Sequence, residues 1–324
     1  MKSFHSVVLL GSIFLAACGA PPKQEHVKTS PKLGSLAQCK QYLGLPHDWR
    51  KDPQAGMVKI HGGTFNIGNN KSYPEEQALY KSERTVSDFW IDATEVTNAQ
   101  FQSFVNETGY VTEAEKQGEA AVFYQPTQPV SELAWWSLVK GANWKQPWGE
   151  NVERKTQANE PVRMITLKDA LAYANWLGRD LPTEEQWEYA AKGFSKINET
   201  HADSEHVDAN IWQGEFPYQN ENKDGFTDVA PVGCFKANGF GLFDMIGNVW
   251  EYTNSPFKGT HDDHMGMQQL NTNQAQTFNR YTIKGGSFLC AVNYCQRYRA
   301  SARHPQEIDL GISHVGFRTV KNIL

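Results

Sequence analysis

Leu181-Pro182-Thr183-Glu184-Glu185-Gln186-Trp187-Glu188-Tyr189 opens a short helix. The Thr183 hydroxyl can accept from the third amide while the Gln186 side chain reaches back, a capping box. Trp187 and Ala190 then fall on one packing face. Upstream, Thr166 starts a second helix whose buried face carries Ala170, Tyr173, Ala174 and Leu177, with Gly178 as its stop. Thr97-Asn98-Ala99-Gln100 repeats the capping pattern, followed by Phe101, Phe104 and Val105 on one face and Gly109 at the end. Met57–Ile60 and Thr64–Gly68 alternate around Gly62-Gly63, which predicts a hairpin, and Thr85–Ile91 predicts another strand. Residues 118–157 show no period but carry Trp135, Trp136, Trp144 and Trp148. A loop of that length is functional or structured by its own packing. Residues 208–320 are short strands and Gly-rich loops. Three short helices amid many loops give a mixed α+β fold with little regular secondary structure, in a single domain without internal repeats.

The chain has 324 residues, 40% hydrophobic and 21% charged, with a net charge of −5. That is a globular composition. No basic run tracks phosphates, so no nucleic-acid partner is expected. Lys2 followed by the apolar run Val7–Leu15 is too short for a membrane span and fits a secretion signal. The run ends in Leu15-Ala16-Ala17-Cys18, which looks like a bacterial lipoprotein processing site. That resemblance implies cleavage before Cys18 and lipid on its thiol. Gly19 is not the Asp that retains such lipoproteins at the inner membrane, so an outer-membrane anchor facing the periplasm is expected. The organisation predicted is residues 1–17 as signal peptide, 18–50 as lipidated Cys18 and flexible tether, and 51–324 as the folded domain. The Pro- and Lys-rich composition after Cys18 supports the tether. Disulfides can form in that compartment.

The chemistry is expected in Tyr281–Arg303, which holds Cys290 and Cys295. An odd offset of five puts two strand side chains on opposite faces. The sulfurs meet only if the chain turns at Ala291, Val292 and Asn293. Two converging thiols form a disulfide, a soft-metal site or a redox pair. Thiolates select Cu(I) or zinc, and a two-thiolate site is poor for zinc, which takes four ligands.

Several stretches resemble the formylglycine-generating enzymes, or sulfatase-modifying factors: Met57–Gly68, Phe89–Lys116, Trp135–Trp144, Pro161–Gly193, Asn210–Thr253 and Lys284–Arg318. Leu181–Tyr189 and Gly247-Asn248-Val249-Trp250-Glu251 mark the wider superfamily, whose fold is C-type-lectin-like. The narrower mark is Gly285-Gly286-Ser287-Phe288-Leu289-Cys290, then Tyr294-Cys295 and Arg297-Tyr298-Arg299. The resemblance implies a copper-dependent oxidase that uses O2 to convert a cysteine of an unfolded sulfatase, in a Cys-x-Pro-x-Arg context, to Cα-formylglycine. Cys290 and Cys295 would hold Cu(I), with the substrate thiol as third ligand. Ser287, Tyr294 and Trp250 would line the pocket, although core packing explains Trp250 equally well. It also implies one Ca²⁺ at Asn210, Ile211, Asp224 and Phe226, and a second at Asp244, Gly247, Val249 and Glu251, where Asx-turn chemistry is the plainer alternative.

Three departures stand out. Ala291 occupies a position that is His in many members. Animal disulfide positions are Ala174, Ala191, Ala300 and Thr319 here. Cys39 and Cys234 match no core cysteine of the family; they either pair or remain two buried thiols. Arg297, Arg299, Arg303 and Arg318 are expected to pair with carboxylates. His261-Asp262-Asp263-His264, His201 and His206 read as solvated loops. Two other functions stay open, a non-catalytic envelope lipoprotein and an oxidase of another periplasmic substrate.

Overall fold

The computed structural model describes residues 33–69, 73–77, 82–150, 152–193, 208–258 and 280–323. Cys18, the signal peptide, His201, His206 and His261–His264 lie outside the described residues. In chain order the elements are helix α1 (Leu36–Cys39), strands β1 (Met57–Ile60), β2 (Gly63–Asn66), β3 (Glu83–Val86) and β4 (Phe89–Asp92), helices α2 (Asn98–Thr108) and α3 (Glu113–Gln117), strands β5 (Glu119–Phe123) and β6 (Trp136–Lys140), helices α4 (Leu167–Trp176) and α5 (Glu184–Lys192), then strands β7 (Trp250–Pro256), β8 (Arg280–Lys284), β9 (Arg303–Glu307), β10 (Val315–Gly316) and β11 (Val320–Asn322). A 3₁₀ turn covers Pro74–Glu76.

The helices form where the capping boxes place them. Thr97, Thr166 and Thr183 each accept from their N3 amide, and Gln100, Asp169 and Gln186 close the box. Such caps contribute about 1 kcal/mol each. Gly109 and Gly193 end α2 and α5 in the left-handed region that glycine enters without strain. Helix α3, with the same Thr112–Glu115 box, was absent from the sequence-based expectation because five residues give no period to read.

The expected β1–β2 hairpin is not formed. β1 pairs antiparallel with β4 and β2 with β3. One continuous register runs through both pairs, so the chain makes a single long ribbon, kinked at His61-Gly62 and Ser87-Asp88. The Gly62 amide donates to Asp88 Oδ1 at 2.8 Å. A Cβ on Gly62 would sit 2.2 Å from the Val86 carbonyl oxygen, so glycine serves close approach here rather than a turn. The same kink splits the expected strand Thr85–Ile91 into β3 and β4. β4 is then central in a three-stranded sheet, β1-β4-β11, and the second main sheet has the order β10-β7-β8-β9. Residues 118–157 contain the β5–β6 hairpin. Its strands do not alternate in burial, which is why no period was visible.

The main core joins Phe101, Phe104, Tyr173, Trp144, Trp250, Tyr252, Phe317 and Cys290. A second core packs Trp187 and Tyr189 of α5 against Phe89, Ile91 and Val320.

The expected tether of residues 18–50 needs correction over its described part. Residues 33–50 lie against the domain. Gly34 N donates to the Gly233 carbonyl at 2.8 Å, and the Trp49 ring meets Trp176 at 6.3 Å. Cys39 and Cys234 form a disulfide across 195 residues of sequence. This cross-link and these contacts hold the segment on the domain. Replacing both cysteines by serine is expected to cost about 2–5 kcal/mol, read as a lower midpoint in urea unfolding; an unchanged midpoint would mean the staple adds nothing.

Candidate active site

Strand β8 ends at Lys284 and the chain leaves the sheet through Gly285 and Gly286, both at positive φ. A Cβ on Gly286 would lie 2.5 Å from the Arg297 carbonyl oxygen. The segment therefore folds back on itself, and turns at Phe288-Leu289 and Val292-Asn293 replace a strand. That turning brings Cys290 Sγ and Cys295 Sγ to 3.4 Å without a bond between them. The expected turn at Ala291–Asn293 is present, with Tyr294 N donating to the Ala291 carbonyl at 3.3 Å.

The two sulfurs differ. Cys290 is buried, and burial together with Cys295 pushes its thiol up. Cys295 is half-buried, and its pKa is lowered to about 6. The first cause is the hydrogen bond from Cys290; the Arg297 guanidinium, with Nη1 3.8 Å from the sulfur, adds to it. Arg297 is held in turn by Glu75, its Nε donating to Oε1 at 2.8 Å. The surroundings therefore favour a protonated Cys290 beside an anionic Cys295. Ser287 is fully buried. Its amide donates to Cys290 Sγ at 3.4 Å, and its hydroxyl accepts from Leu289 N at 3.3 Å, so it shapes the loop from beneath.

Around the half-exposed side stands an aromatic wall. Tyr294 stacks on Phe216 at 4.5 Å and meets Trp135 edge-on at 5.5 Å. Phe123 and Trp212 continue it. Asn293 fixes the wall to the loop by two bonds to the Phe216 main chain, at 3.3 and 3.4 Å. Trp250 packs in the main core with Cys290, apart from the cluster that forms this wall. Ala291 is fully buried, in the same apolar cluster as Trp135, Trp212, Phe216 and Phe288. A cleft of about 150 Å³ shares Phe123, Trp212 and Phe288 with this wall. A larger cleft of about 230 Å³, lined by Glu76, Glu184, Glu188 and Arg303, has no cysteine in its lining and lies among paired charges.

The four arginines pair with carboxylates, as expected: Arg297 with Glu75, Arg299 with Glu76, Arg303 with Glu184 and Arg318 with Glu251. Glu75 and Glu76, on the 3₁₀ turn, were invisible to sequence reasoning because they lie more than two hundred residues from their partners.

The residues of both implied calcium groups converge in two loops. Asp224 Oδ2 accepts from Ile211 N at 3.2 Å and Oδ1 from Phe226 N at 2.9 Å, while Asn210 bonds Asp228 and Asn248. Burial raises the Asp224 pKa. In the second loop Asp244 Oδ2 accepts from Gly233 N at 2.5 Å, and burial raises its pKa to about 6. Glu251 takes Arg318 on both oxygens and the Trp187 indole on one. Both loops hold the cysteine loop through the main chain. Gly247 N bonds the Gly285 carbonyl, Phe288 N the Asn248 carbonyl, and Trp212 N the Cys290 carbonyl, at 2.9–3.1 Å. Among the described residues no three acidic, imidazole or thiol side chains form a closed cage, so a cation here also needs main-chain oxygens.

Residues 44–323 match the family model described as sulfatase-modifying factor enzyme 1-like domain. A formylglycine-generating enzyme of Mycobacterium tuberculosis is 41% identical over 82% of this chain and 97% of its own. One of Bos taurus is 39% identical over 96% of this chain and 85% of its own. The Bos taurus inactive C-alpha-formylglycine-generating enzyme 2 is 37% identical over 64% and 73%. PvdO of Pseudomonas aeruginosa shares the fold, with a TM-score of 0.57 at 17% identity over 92% of this chain and all of its own.

In reduced, metal-free protein, alkylation of Cys295 should follow its thiolate, with a midpoint near pH 6 rather than the ordinary thiol value of about 8.5. The rate should fall as pH drops below that midpoint. Cys290→Ala removes the donor and should move the midpoint upward. A midpoint in the ordinary range in the unmodified chain would exclude the thiol–thiolate pair.

Proposed function

We propose, for a chain that belongs to the formylglycine-generating enzyme family, that it oxidises a cysteine in a sulfatase-type Cys-x-Pro-x-Arg segment to Cα-formylglycine with O2 and copper. The observation that carries this is the pair of unbonded sulfurs 3.4 Å apart, one of them open beside an aromatic wall. Two soft, adjacent donors with a half-exposed side fit Cu(I) and leave room for a third sulfur. Copper, when bound there, supplies the one-electron O2 chemistry that no side chain can.

The chain's own residues do the rest. The Cys290 hydrogen bond, and after it Arg297, favours the anionic form of Cys295 near neutral pH. Ser287 and its amide hold Cys290 in place. Tyr294, Phe216 and Trp135 present flat apolar surface that excludes water from a bound peptide. The electrons balance when the substrate Cβ gives two, an added thiol reductant gives two, and O2 takes four. The substrate sulfur leaves as sulfide, and water supplies the aldehyde oxygen.

Calcium at the two loops would pin the main chain that supports the cysteine segment. A ligand bound only by the native state stabilises it by roughly 2.7 kcal/mol at a hundredfold excess over Kd. Chelation should therefore lower the melting temperature; a curve indifferent to chelator would remove calcium from the proposal. We also propose the lipid anchor at Cys18 and a periplasm-facing outer-membrane location. Cys18→Ala should shift the protein from the membrane to the soluble fraction, and retention on membranes would reject the anchor.

The reaction is tested by incubating reduced protein, Cu(I), O2, reductant and a Cys-x-Pro-x-Arg peptide, and weighing the product. A mass loss at the cysteine is expected, abolished by Cys290→Ser and by Cys295→Ser, along with tight Cu(I) binding in a chelator competition. An unchanged peptide, with copper bound equally well by both variants, would leave the binding-module function in place of the oxidase.

A further inference from the structure

The cleft of about 150 Å³ beside the aromatic wall shares Phe123, Trp212 and Phe288 with it, and Val122 and Trp148 complete its apolar lining. These rings are held in place. Phe123 N donates to Ser313 Oγ at 3.2 Å, Trp212 Nε1 to the Gln219 carbonyl at 3.0 Å, and Phe288 N to the Asn248 carbonyl at 2.9 Å. Trp148 lies against two guanidiniums, Arg154 at 4.1 Å and Arg163 at 4.9 Å from the ring centre. The space is thus preformed, and filling it costs little ordering.

The charged part of the lining is already paired. Arg163 and Asp228 are buried, and both Nη atoms of Arg163 donate to the carboxylate. Asp228 also takes Val229 N at 2.8 Å and ion-pairs with Arg154 at 3.2 Å. A substrate lysine or arginine would find this carboxylate occupied, with two guanidiniums beside it. A dry space of about this volume holds a group the size of benzene. The occupant that gains most is therefore one apolar side chain, leucine or phenylalanine in size.

Trp212 and Phe123 meet Phe216 at 5.1 and 5.7 Å, and Phe216 stacks on Tyr294, the residue before Cys295. Two ring-to-ring steps therefore join the cleft to Tyr294, about three or four residues of extended chain at about 3.3 Å each. We propose that this cleft is a second subsite for the substrate polypeptide, one that takes an apolar side chain about three or four residues from the reacting cysteine. This rests on the oxidase reading above and adds a specificity element to it. Phe288 belongs to the cysteine loop, so a side chain in the cleft packs directly onto the segment that carries Cys290. The wall shields the reacting cysteine, and the cleft sets the register of the chain that carries it.

The test is binding of fluorescently labelled peptides to the reduced, copper-free protein, read as anisotropy. The peptides carry Cys-x-Pro-x-Arg in an alanine background. Leucine or lysine is placed singly at the third or fourth residue before the cysteine, or at the third after it. Leucine at one of these positions is expected to lower Kd roughly 10–100-fold relative to alanine, and lysine is not. Thr227 and Gln125 line the cleft and are exposed. Thr227→Trp places an indole at the opening and is expected to abolish the gain, so that leucine and alanine peptides bind alike. Gln125→Trp gives a second, independent closure with the same expected result. No leucine preference at any position, or a preference that survives both substitutions, would overturn the subsite. Weighing the peptides after exposure to Cu(I), O2 and reductant separates this from the parent reading. Conversion without a side-chain preference removes the subsite and keeps the oxidase. Leucine preference without conversion keeps the subsite and removes the oxidase.

Discussion

Arg318 and Glu251 are both buried, and the guanidinium meets the carboxylate through two bonds of 2.7 Å. Around that pair the fold is tied. The remaining Arg318 donors cap the carbonyls of Asp92, Ala93 and Phe243, and Glu251 also receives the Trp187 indole. One contact therefore joins the end of β4, the loop before Asp244, strand β7 and helix α5. A buried pair of this kind adds little net stability over an apolar equivalent, but loss of one partner leaves an uncompensated charge costing about 3–5 kcal/mol. Its value here is positional, since so few ladders are available to fix the loops.

The same economy governs the cysteine segment. It has no strand neighbours of its own after Lys284, so its main chain is carried by the Gly247-Asn248 loop and by Trp212. The arginines after Cys295 anchor it from the other side, onto a 3₁₀ turn more than two hundred residues away. With both flanks fixed, the sulfurs are left at 3.4 Å and the aromatic wall is left standing beside them. The family likeness and this arrangement support the same chemistry. Cys39–Cys234 adds a further staple onto the loop whose Gly233 amide holds Asp244.

Much of this was legible in the residues. The Thr97, Thr166 and Thr183 capping boxes fixed three helices, because a cap is a local interaction between residues three apart. Cys290 and Cys295 were recognisable as a pair, and their convergence required a turn that Ala291–Asn293 could supply. The four arginines were correctly expected to be paired. Local pattern failed where the partner is remote. Alternation around Gly62-Gly63 resembles a hairpin, yet β1 and β2 run on in one register instead of pairing with each other, because their hydrogen-bonding partners come from residues 83–92.

The amino-acid sequence by itself determined the class of fold and the family and singled out Cys290 and Cys295 as a pair, since each rests on short motifs. Tertiary structure alone decided which carboxylate meets which arginine, that Cys39 reaches Cys234, and that the surroundings favour the anion on Cys295 over Cys290. These are long-range electrostatic outcomes. They depend on burial and on distances between residues far apart in the chain, and no periodicity or spacing encodes either.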